Sequence, residues 1–97
     1  MLTSKQRANL RSLAQTIEPI TQLGKQGINE SFITSLDKAI EKRELIKITV
    51  LENSMLDGKE AGIEIAELLN AELVCVTGRK IVFYRRSQSD KVHHVEF

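Results

Sequence analysis

The chain has 97 residues, of which 41% are hydrophobic, and its formal net charge is +1. This length suits one small domain, residues 1–97, and leaves no room for a second. No stretch approaches the roughly 18 consecutive apolar residues of a membrane span, and the polar opening "MLTSKQRANL" lacks the apolar core of a signal peptide. We therefore expect a cytoplasmic protein with no membrane partner. Cys75 is the only cysteine, which excludes an internal disulfide, and its apolar neighbours favour a buried residue.

The beginning of the chain predicts an amphipathic helix followed by a short strand. Thr3 or Ser4 can cap a helix that continues to about Thr16. The helix must end before Pro19, because the residue that precedes a proline is pushed out of helical geometry. The stretch "PITQLG" then predicts a short strand, with Ile20 as its surest core residue.

A second helix and a second strand are predicted after a glycine-containing loop. Asn29 is a good N-cap, and an apolar stripe follows it at helical spacing over residues 30–43. "LIKITVL", residues 45–51, is rich in β-branched residues and predicts a strand. Its side chains alternate between two sides, and the side expected to face the core carries Ile46, Ile48 and Val50.

The second half of the chain predicts a third helix and a terminal hairpin. Residues 54–70 carry a helical stripe of Ala61, Ile65, Leu68 and Leu69, although "GIEIAELL" also contains a local strand-like alternation. "ELVCVTGRKIVFYRR" predicts two strands around a tight turn at residues 77–80. The core is expected over residues 2–86, with 87–97 as a loose tail or a short edge extension.

The order of these elements, α-β-α-β-α-β-β, predicts the fold class. Two strand-helix-strand units should form parallel crossovers, and the terminal hairpin should add one antiparallel strand. We therefore expect an α/β fold of the two-layer sandwich type, in which a four-stranded mixed sheet is packed with three helices.

The loop before the second helix contains Gly24, Lys25, Gln26 and Gly27, so a glycine stands at each end of a four-residue stretch. Positions without a Cβ let the chain turn sharply, and they also let a phosphate approach the backbone N–H groups. The helix N-terminus behind the loop adds further donors and the positive end of its dipole, and Lys25 adds a charge. From the residues alone, both a simple strand-to-helix turn and an anion cradle of the kind found in KH domains stay open.

The small net charge hides a separation of charge along the chain. Residues 1–50 carry eight Lys/Arg and five Asp/Glu, residues 51–72 carry one and six, and residues 73–97 carry five and two. An acidic third helix leaves the rest of the surface free to be positive, as phosphate binding requires. The cations expected to contact phosphate are Lys5, Arg7 and Arg11 in the first helix and Arg79, Lys80 and Arg85 in the hairpin, with Arg86 and Lys42 in second rank.

No set of residues in the sequence suggests catalysis or a cofactor. The phosphate-loop and dinucleotide motifs are missing, and the serines lack a matching His/Asp set. His93 and His94 are adjacent and have no cysteine partner for a metal. The chain has four aromatic residues and no tryptophan, so a base-stacking platform is not expected.

Two stretches of the sequence resemble a known family. "LTSKQRANLRSLAQTIEPITQLGKQGINESFITSLDKAIEKRELIKI" resembles the start of the CRM domain (chloroplast RNA splicing and ribosome maturation), and "VTGRKIVFYRR" resembles its closing hairpin. The resemblance spans about residues 2–86 and is to the bacterial stand-alone YhbY-type members. It implies an RNA-binding domain similar in fold to the C-terminal domain of translation initiation factor three, with the family's GxxG loop at Gly24 to Gly27.

The resemblance also implies a function, because bacterial members are associated with the precursor of the large ribosomal subunit. We therefore expect a monomeric, non-catalytic protein that binds large-subunit rRNA in a pre-ribosomal particle. Two alternatives remain. The acidic helix, with Glu60, Glu64 and Glu67, could instead dock on a basic ribosomal protein, or the chain could bind single-stranded RNA or DNA in the manner of a KH domain.

Overall fold

A computed structural model describes residues 2–97 and confirms the expected order of elements. Asn29 and Asp57 cap the second and third helices, and Thr3 forms a reciprocal capping box with Gln6 at the first. None of the described helices is long and apolar enough to cross a membrane. The elements are α1 (Ser4–Ala14), β1 (Thr21–Leu23), α2 (Glu30–Arg43), β2 (Leu45–Val50), a 3₁₀ turn (Glu52–Ser54), α3 (Gly58–Leu69), β3 (Glu72–Thr77) and β4 (Lys80–Tyr84).

The four strands form one mixed sheet in the order β1-β2-β4-β3. β1 runs parallel to β2, whereas β4 lies between β2 and β3 and is antiparallel to both. As expected, the hairpin supplies the one antiparallel strand. Because β1, β2 and β3 all run in the same direction, their carboxyl ends and the β3–β4 turn meet at one edge of the sheet.

Helices cover both faces of the sheet. α2 and α3 pack on the face that carries Ile46, Ile48 and Phe83, all fully buried. α1 packs on the opposite face through Leu10 and Ala14, against a separate apolar cluster of Leu45, Val74, Val82 and Tyr84. The expected α/β fold with three helices and a mixed sheet is confirmed, and its layers number three where we expected two.

Three local expectations need correction. Ile20, expected as the surest core residue of the first strand, precedes β1 and packs against the core only partly buried, whereas Leu23 of β1 is fully buried. α1 ends at Ala14, and Gln15 and Thr16 continue as hydrogen-bonded turns. Leu68 of α3 is 56% exposed, since the buried stripe runs through Gly62 and Ala66 and turns Leu68 toward solvent.

Residues 87–97 are neither a loose tail nor a strand, because the carboxylates of Glu41 and Glu44, at the C-terminal end of α2, hold them against the domain. The carboxylate of Glu44, fully buried, accepts the N–H groups of Ser87 at 2.7 Å and Val95 at 2.6 Å and contacts His94 Nδ1 at 2.5 Å. Phe97 then packs edge-on against Tyr84 with ring centroids 4.8 Å apart. The segment thus covers part of the sheet face that α1 leaves open.

Candidate nucleic-acid interface

The GxxG loop (residues 24–27) joins β1 to α2 by a tight turn. The Gly27 N–H donates to the Gly24 carbonyl at 2.9 Å, and Gly27 has φ +71°, a conformation that strains any residue with a Cβ. Gly24 is different, because its φ is ordinary and an added Cβ would meet Leu51 Cδ1 at 3.5 Å, an ordinary contact. The turn therefore explains a glycine at position 27 and does not require one at position 24.

The N-terminus of α2 lies directly behind this loop. The Asn29 side chain accepts the Phe32 N–H at 2.9 Å, which satisfies one of the first-turn donors. The backbone N–H groups of Glu30 and Ser31 have no carbonyl partner within the helix, and the helix dipole adds positive potential at the same place. Glu30 is exposed in this first turn and is the carboxylate nearest in sequence to the loop.

A shallow depression of about 420 Å³ opens over the loop and the first turns of α2. Lys25 and Gln26 are exposed there, and no carboxylate lines the surface. The depression thus offers backbone N–H groups, hydroxyls and one ammonium, which are the donors that proteins present to phosphate. Its lining residues are Thr21, Gln22, Gly24, Lys25, Gln26, Gly27, Asn29, Ser31, Phe32 and Ser35.

The β3–β4 turn brings two further predicted cations to the same edge of the sheet. The Val50 N–H donates to the Arg79 carbonyl at 2.7 Å, which ties the turn to the end of β2. Lys80 pairs with Thr49 of β2 and is exposed. The Arg79 guanidinium forms an exposed ion pair with Glu52 at 3.6 Å, so its charge is partly balanced.

A crevice between α1 and the sheet, here called the α1 crevice, gathers more positive charge. Arg11 from α1 and Lys47 and Lys80 from the sheet line it, and no carboxylate does. The Lys47 ammonium also donates to the Ile17 carbonyl at 3.2 Å. Gln15 and Thr77 provide uncharged polar groups, and the apolar residues are Ala14, Cys75 and Val82.

Two of the predicted contact residues bind within the domain instead. The Arg7 guanidinium donates to the Leu73 carbonyl and, at 3.2 Å, to the Val74 carbonyl, where a bulge in β3 exposes these oxygens. Arg7 is half-buried there. The geometry gives it a structural role, which corrects our placing it among the contact residues.

Arg85 is held in the same way at the opposite end of the sheet from the GxxG loop. Its guanidinium donates to Asp37 Oδ1 at 2.7 Å and to the Leu69 carbonyl at 2.8 Å, and it lies 3.4 Å from Glu41 Oε1. Hydrogen bonds from the Ser87 hydroxyl and the Gln88 N–H, helped by the Arg85 charge, lower the pKa of Glu41 below its usual value. Arg85 therefore joins α2 and α3, and its partner Glu41 also binds the C-terminal segment, so we remove Arg85 from the candidate interface.

The remaining cations lie farther from the GxxG loop. Lys5 is exposed at the start of α1, six residues and hence about 9 Å along the helix from Arg11. Lys42 is exposed in the last turn of α2, and Arg86 follows the end of β4, both away from the edge that carries the loop. The structure thus brings Lys25, Arg11, Arg79 and Lys80 to one side of the molecule and leaves Lys5, Lys42 and Arg86 outside that group.

Several polar residues of this surface were not predicted from the sequence. The position of Lys47 could have been predicted, because the alternation of β2 places its side chain on the face opposite to the buried Ile46 and Ile48. Ser31 and Ser35 carried no comparable signal, since hydroxyls on the exposed side of a helix are common. Their relevance appears only when α2 is seen to begin beside the loop.

Comparison with known proteins identifies the family. Residues 2–85 match the CRS1/YhbY (CRM) domain, which is nearly the whole chain. This chain belongs to the CRM domain family. The resemblance inferred from the sequence is thereby confirmed, and the docked C-terminal segment, residues 87–97, lies beyond the matched residues.

Relatives of this CRM domain extend the comparison. "Probable RNA-binding protein YqeI" of Bacillus subtilis (strain 168) is 40% identical over 91 residues, covering 94% of this chain and 95% of that protein. A second probable RNA-binding protein, from Methanocaldococcus jannaschii, is 35% identical over 86 residues, covering 87% of this chain and 63% of that protein. The solution structure of a hypothetical protein from Staphylococcus aureus superposes with a TM-score of 0.79 at 48% identity, over 98% of this chain and 100% of that one.

Proposed function

We propose that this chain is a non-catalytic RNA-binding protein that holds the phosphate backbone of structured RNA at the GxxG loop. One observation carries the proposal: the loop and the start of α2 form a depression that contains Lys25 and no carboxylate, with the exposed Lys80 two strands away at the same edge of the sheet. Backbone donors, a helix N-terminus and clustered cations together make a site for a polyanion. The names of YqeI and the M. jannaschii relative support RNA as that polyanion.

The positions of the aromatic residues favour recognition of the RNA backbone over stacking on bases. Phe83 and Tyr84 are buried on opposite faces of the sheet, and Phe32 packs on the core under α2. Phe97 packs against Tyr84. Of these rings, Phe32 is half-buried and lines the depression over the GxxG loop, and no second ring of the described chain stands beside it to form a stacking platform, so affinity should come mainly from phosphate and sugar contacts.

For the biological target we propose rRNA of the precursor of the large ribosomal subunit, bound in the cytoplasm by a monomer. This finer proposal rests on the resemblance of this chain to the bacterial YhbY-type members of the family, which are associated with the precursor of the large subunit. A suitable first test is crosslinking of the protein to RNA in cells, followed by sequencing of the bound RNA. Enrichment of large-subunit rRNA over mRNA and small-subunit rRNA is expected, and an even distribution over all RNAs would refute it.

The contact itself is tested by titrating a labelled rRNA fragment with the Lys25→Glu variant, using fluorescence anisotropy at several salt concentrations. We expect weaker binding and a salt slope smaller by about one single-strand contact, roughly 0.7. Lys42→Glu is the matched control, because it makes the same charge change on an exposed residue away from the loop. Equal effects of the two variants would show that only net charge matters and that the loop is a turn.

A second candidate function is supported by the outer face of α3. Ile63 and Leu68 are 51% and 56% exposed among three exposed glutamates, an arrangement suited to a basic protein surface with apolar side chains. We propose that this face can bind a ribosomal protein while the opposite side binds RNA. Charge reversal at Glu60, Glu64 and Glu67 should abolish capture of that protein and spare affinity for RNA, and a loss of both would contradict separate sites.

A further inference from the structure

We propose that the α1 crevice binds one unpaired nucleotide of the RNA whose backbone the GxxG loop holds. This inference rests on the proposed function and adds a preference for RNA with an unpaired residue beside the gripped backbone. It is carried by the position, the size and the lining of the crevice.

The crevice exists because α1 covers only part of its face of the sheet. Leu10 and Ala14 pack against the apolar cluster of this face, and the helix ends at Ala14, which lines the crevice together with Lys80. The residues of β4, β2 and β3 in that uncovered row are Lys80, Thr49 and Thr77, which are paired side by side in the sheet. A polar strip is therefore left open between the end of the helix and the end of the sheet.

Size limits what the crevice can hold. Its volume is about 190 Å³, less than half that of the depression over the GxxG loop. Pockets for drug-sized ligands start at about 300 Å³, so a space below that suits the base of one nucleotide, with its sugar and phosphate outside, and excludes a duplex. An unpaired nucleotide can leave its stack and enter such a space, whereas a paired one cannot do so without losing its partner.

The lining matches the parts of a nucleotide. The buried Ala14 and Val82 form the floor of the crevice and the half-buried Cys75 offers an apolar edge for a base, while Gln15 and Thr77 offer donors and acceptors for the base edge or for the 2′-hydroxyl. Among the described residues, Arg11 and Lys80 have no ion-pair partner, so both are available to the adjoining phosphates. One carboxylate, Glu18, lines a neighbouring depression next to Lys80 without reaching the crevice.

The crevice and the GxxG loop are close enough to share one RNA strand. Gln22 of β1 pairs with Thr49 of β2, which pairs with Lys80 of β4, so Lys80 lies two strand spacings, or about 10 Å, from β1. Gln22 is two residues before Gly24 on the same strand. Polar side chains thus connect the two positions, with the Glu18 carboxylate at the border of the depression that they line, and the strand would cross the open end of the sheet between them.

The test compares two RNA hairpins, identical except that one carries a single unpaired nucleotide next to the stem, by anisotropy with the full chain. We expect the wild type to favour the hairpin with the unpaired nucleotide by about tenfold, as two added hydrogen bonds to a base would give. The double variant Gln15→Ala/Thr77→Val should lose this preference while its affinity for the paired hairpin and its salt slope stay unchanged. Thr34→Val, an exposed threonine on α2, is the matched control and should keep the preference.

A second measurement needs no variant, because Cys75 lines the crevice and is the only cysteine. Alkylation of its thiol should slow when the hairpin with the unpaired nucleotide is bound and should be unaffected by the paired hairpin at equal occupancy. Three outcomes would overturn the inference and leave the proposed function standing. They are equal affinity of the wild type for the two hairpins, an equal loss of affinity for both hairpins in the double variant, and equal protection of Cys75 by both hairpins. Salt-independent or absent binding of both hairpins would instead refute the proposed function.

Discussion

The buried carboxylate of Glu44 provides the most quantitative test of how this chain is held together. It accepts the Ser87 N–H and the contact from His94 Nδ1 on one oxygen and the Val95 N–H on the other. All these partners belong to the C-terminal segment, so one side chain fixes that segment to the end of α2. Glu44→Gln keeps the size of the side chain but replaces one acceptor oxygen by an NH₂ donor.

The cost of this substitution follows from counting the donors. Either orientation of the amide turns its NH₂ toward the Ser87 or the Val95 N–H, so at least one backbone donor loses its acceptor. An unsatisfied buried donor costs about 1–3 kcal/mol, and hydrogen bonds to a charged group are worth about twice neutral ones. Because the segment can detach and let water reach its N–H groups, we expect a loss of about 2–3 kcal/mol in the free energy of unfolding.

The sign of the pH dependence adds a second constraint. Burial alone would raise the pKa of Glu44, but the hydrogen bonds from His94 and from the Ser87 and Val95 N–H groups outweigh it, so the pKa lies below the ordinary value of 4.5. A carboxylate whose pKa is lowered by folding stabilises the folded state above its unfolded pKa, and that stabilisation is lost as the pH falls through the folded pKa. Wild type and Glu44→Gln should therefore differ at pH 7 and converge in acid.

Urea unfolding followed by circular dichroism measures the difference, and amide hydrogen exchange at Ser87 and Val95 reports whether the segment has detached. Glu64→Gln is the control, since Glu64 is exposed on α3 and the same charge is removed. The reasoning would be refuted if Glu44→Gln were as stable as the control and both amides kept their protection. A constant difference between pH 7 and pH 3 would refute the assigned sign.

Three further predictions concern the site and the core. Lys80→Ala should lower the magnitude of the salt slope of RNA binding by about 0.7. Arg85→Ala should leave that slope unchanged and reduce the free energy of unfolding by about 1–3 kcal/mol. The opposite pattern in anisotropy and urea titrations would restore Arg85 to the interface. Gly27→Ala should destabilise the fold by roughly 1 kcal/mol through its positive φ, while Gly24→Ala should keep its stability and weaken RNA binding, as measured by the same two titrations. Ile40→Asp should unfold the protein, because it buries an unpaired charge at a fully buried position of α2, and a native circular dichroism spectrum would contradict that placement.

The sequence was sufficient for the elements whose signals are local. α2 occupies residues 30–43 as predicted, because Asn29 caps it and its apolar stripe is regular. The insertion of β4 between β2 and β3 was not predictable in the same way, since strand pairing depends on contacts between distant residues. A sign of the third layer was nevertheless present: residues 81–84 are apolar without alternation, as in strands covered on both faces.

The candidate site was predictable in part, for a similar reason. The GxxG loop and its cap are a continuous stretch, so its chemistry could be inferred before the structure was known. Whether a cation is available for RNA depends on which carbonyls and carboxylates lie beside it. Arg7 is bound by carbonyls that a bulge exposes, and Arg85 by α2 and α3, and neither the bulge nor the packing of those helices has a signal near the arginine. The same limit applies to the C-terminal segment, whose main anchor, Glu44, is some fifty residues away in sequence.

The layered arrangement also explains how a chain with a net charge of only +1 can present a positive surface. Lys47 and Lys80 lie on the face of the sheet that carries α1, whereas α3, with its exposed glutamates, packs on the opposite face. The outer surface of α3 is separated from the sheet by about one helix diameter, roughly 10 Å. The Debye length at physiological ionic strength is about 8 Å, so the exposed glutamates of the acidic helix are partly screened from the α1 crevice. Near neutrality of the whole chain is therefore compatible with strong attraction of a polyanion to one side, and the acidic helix would direct the RNA to that side.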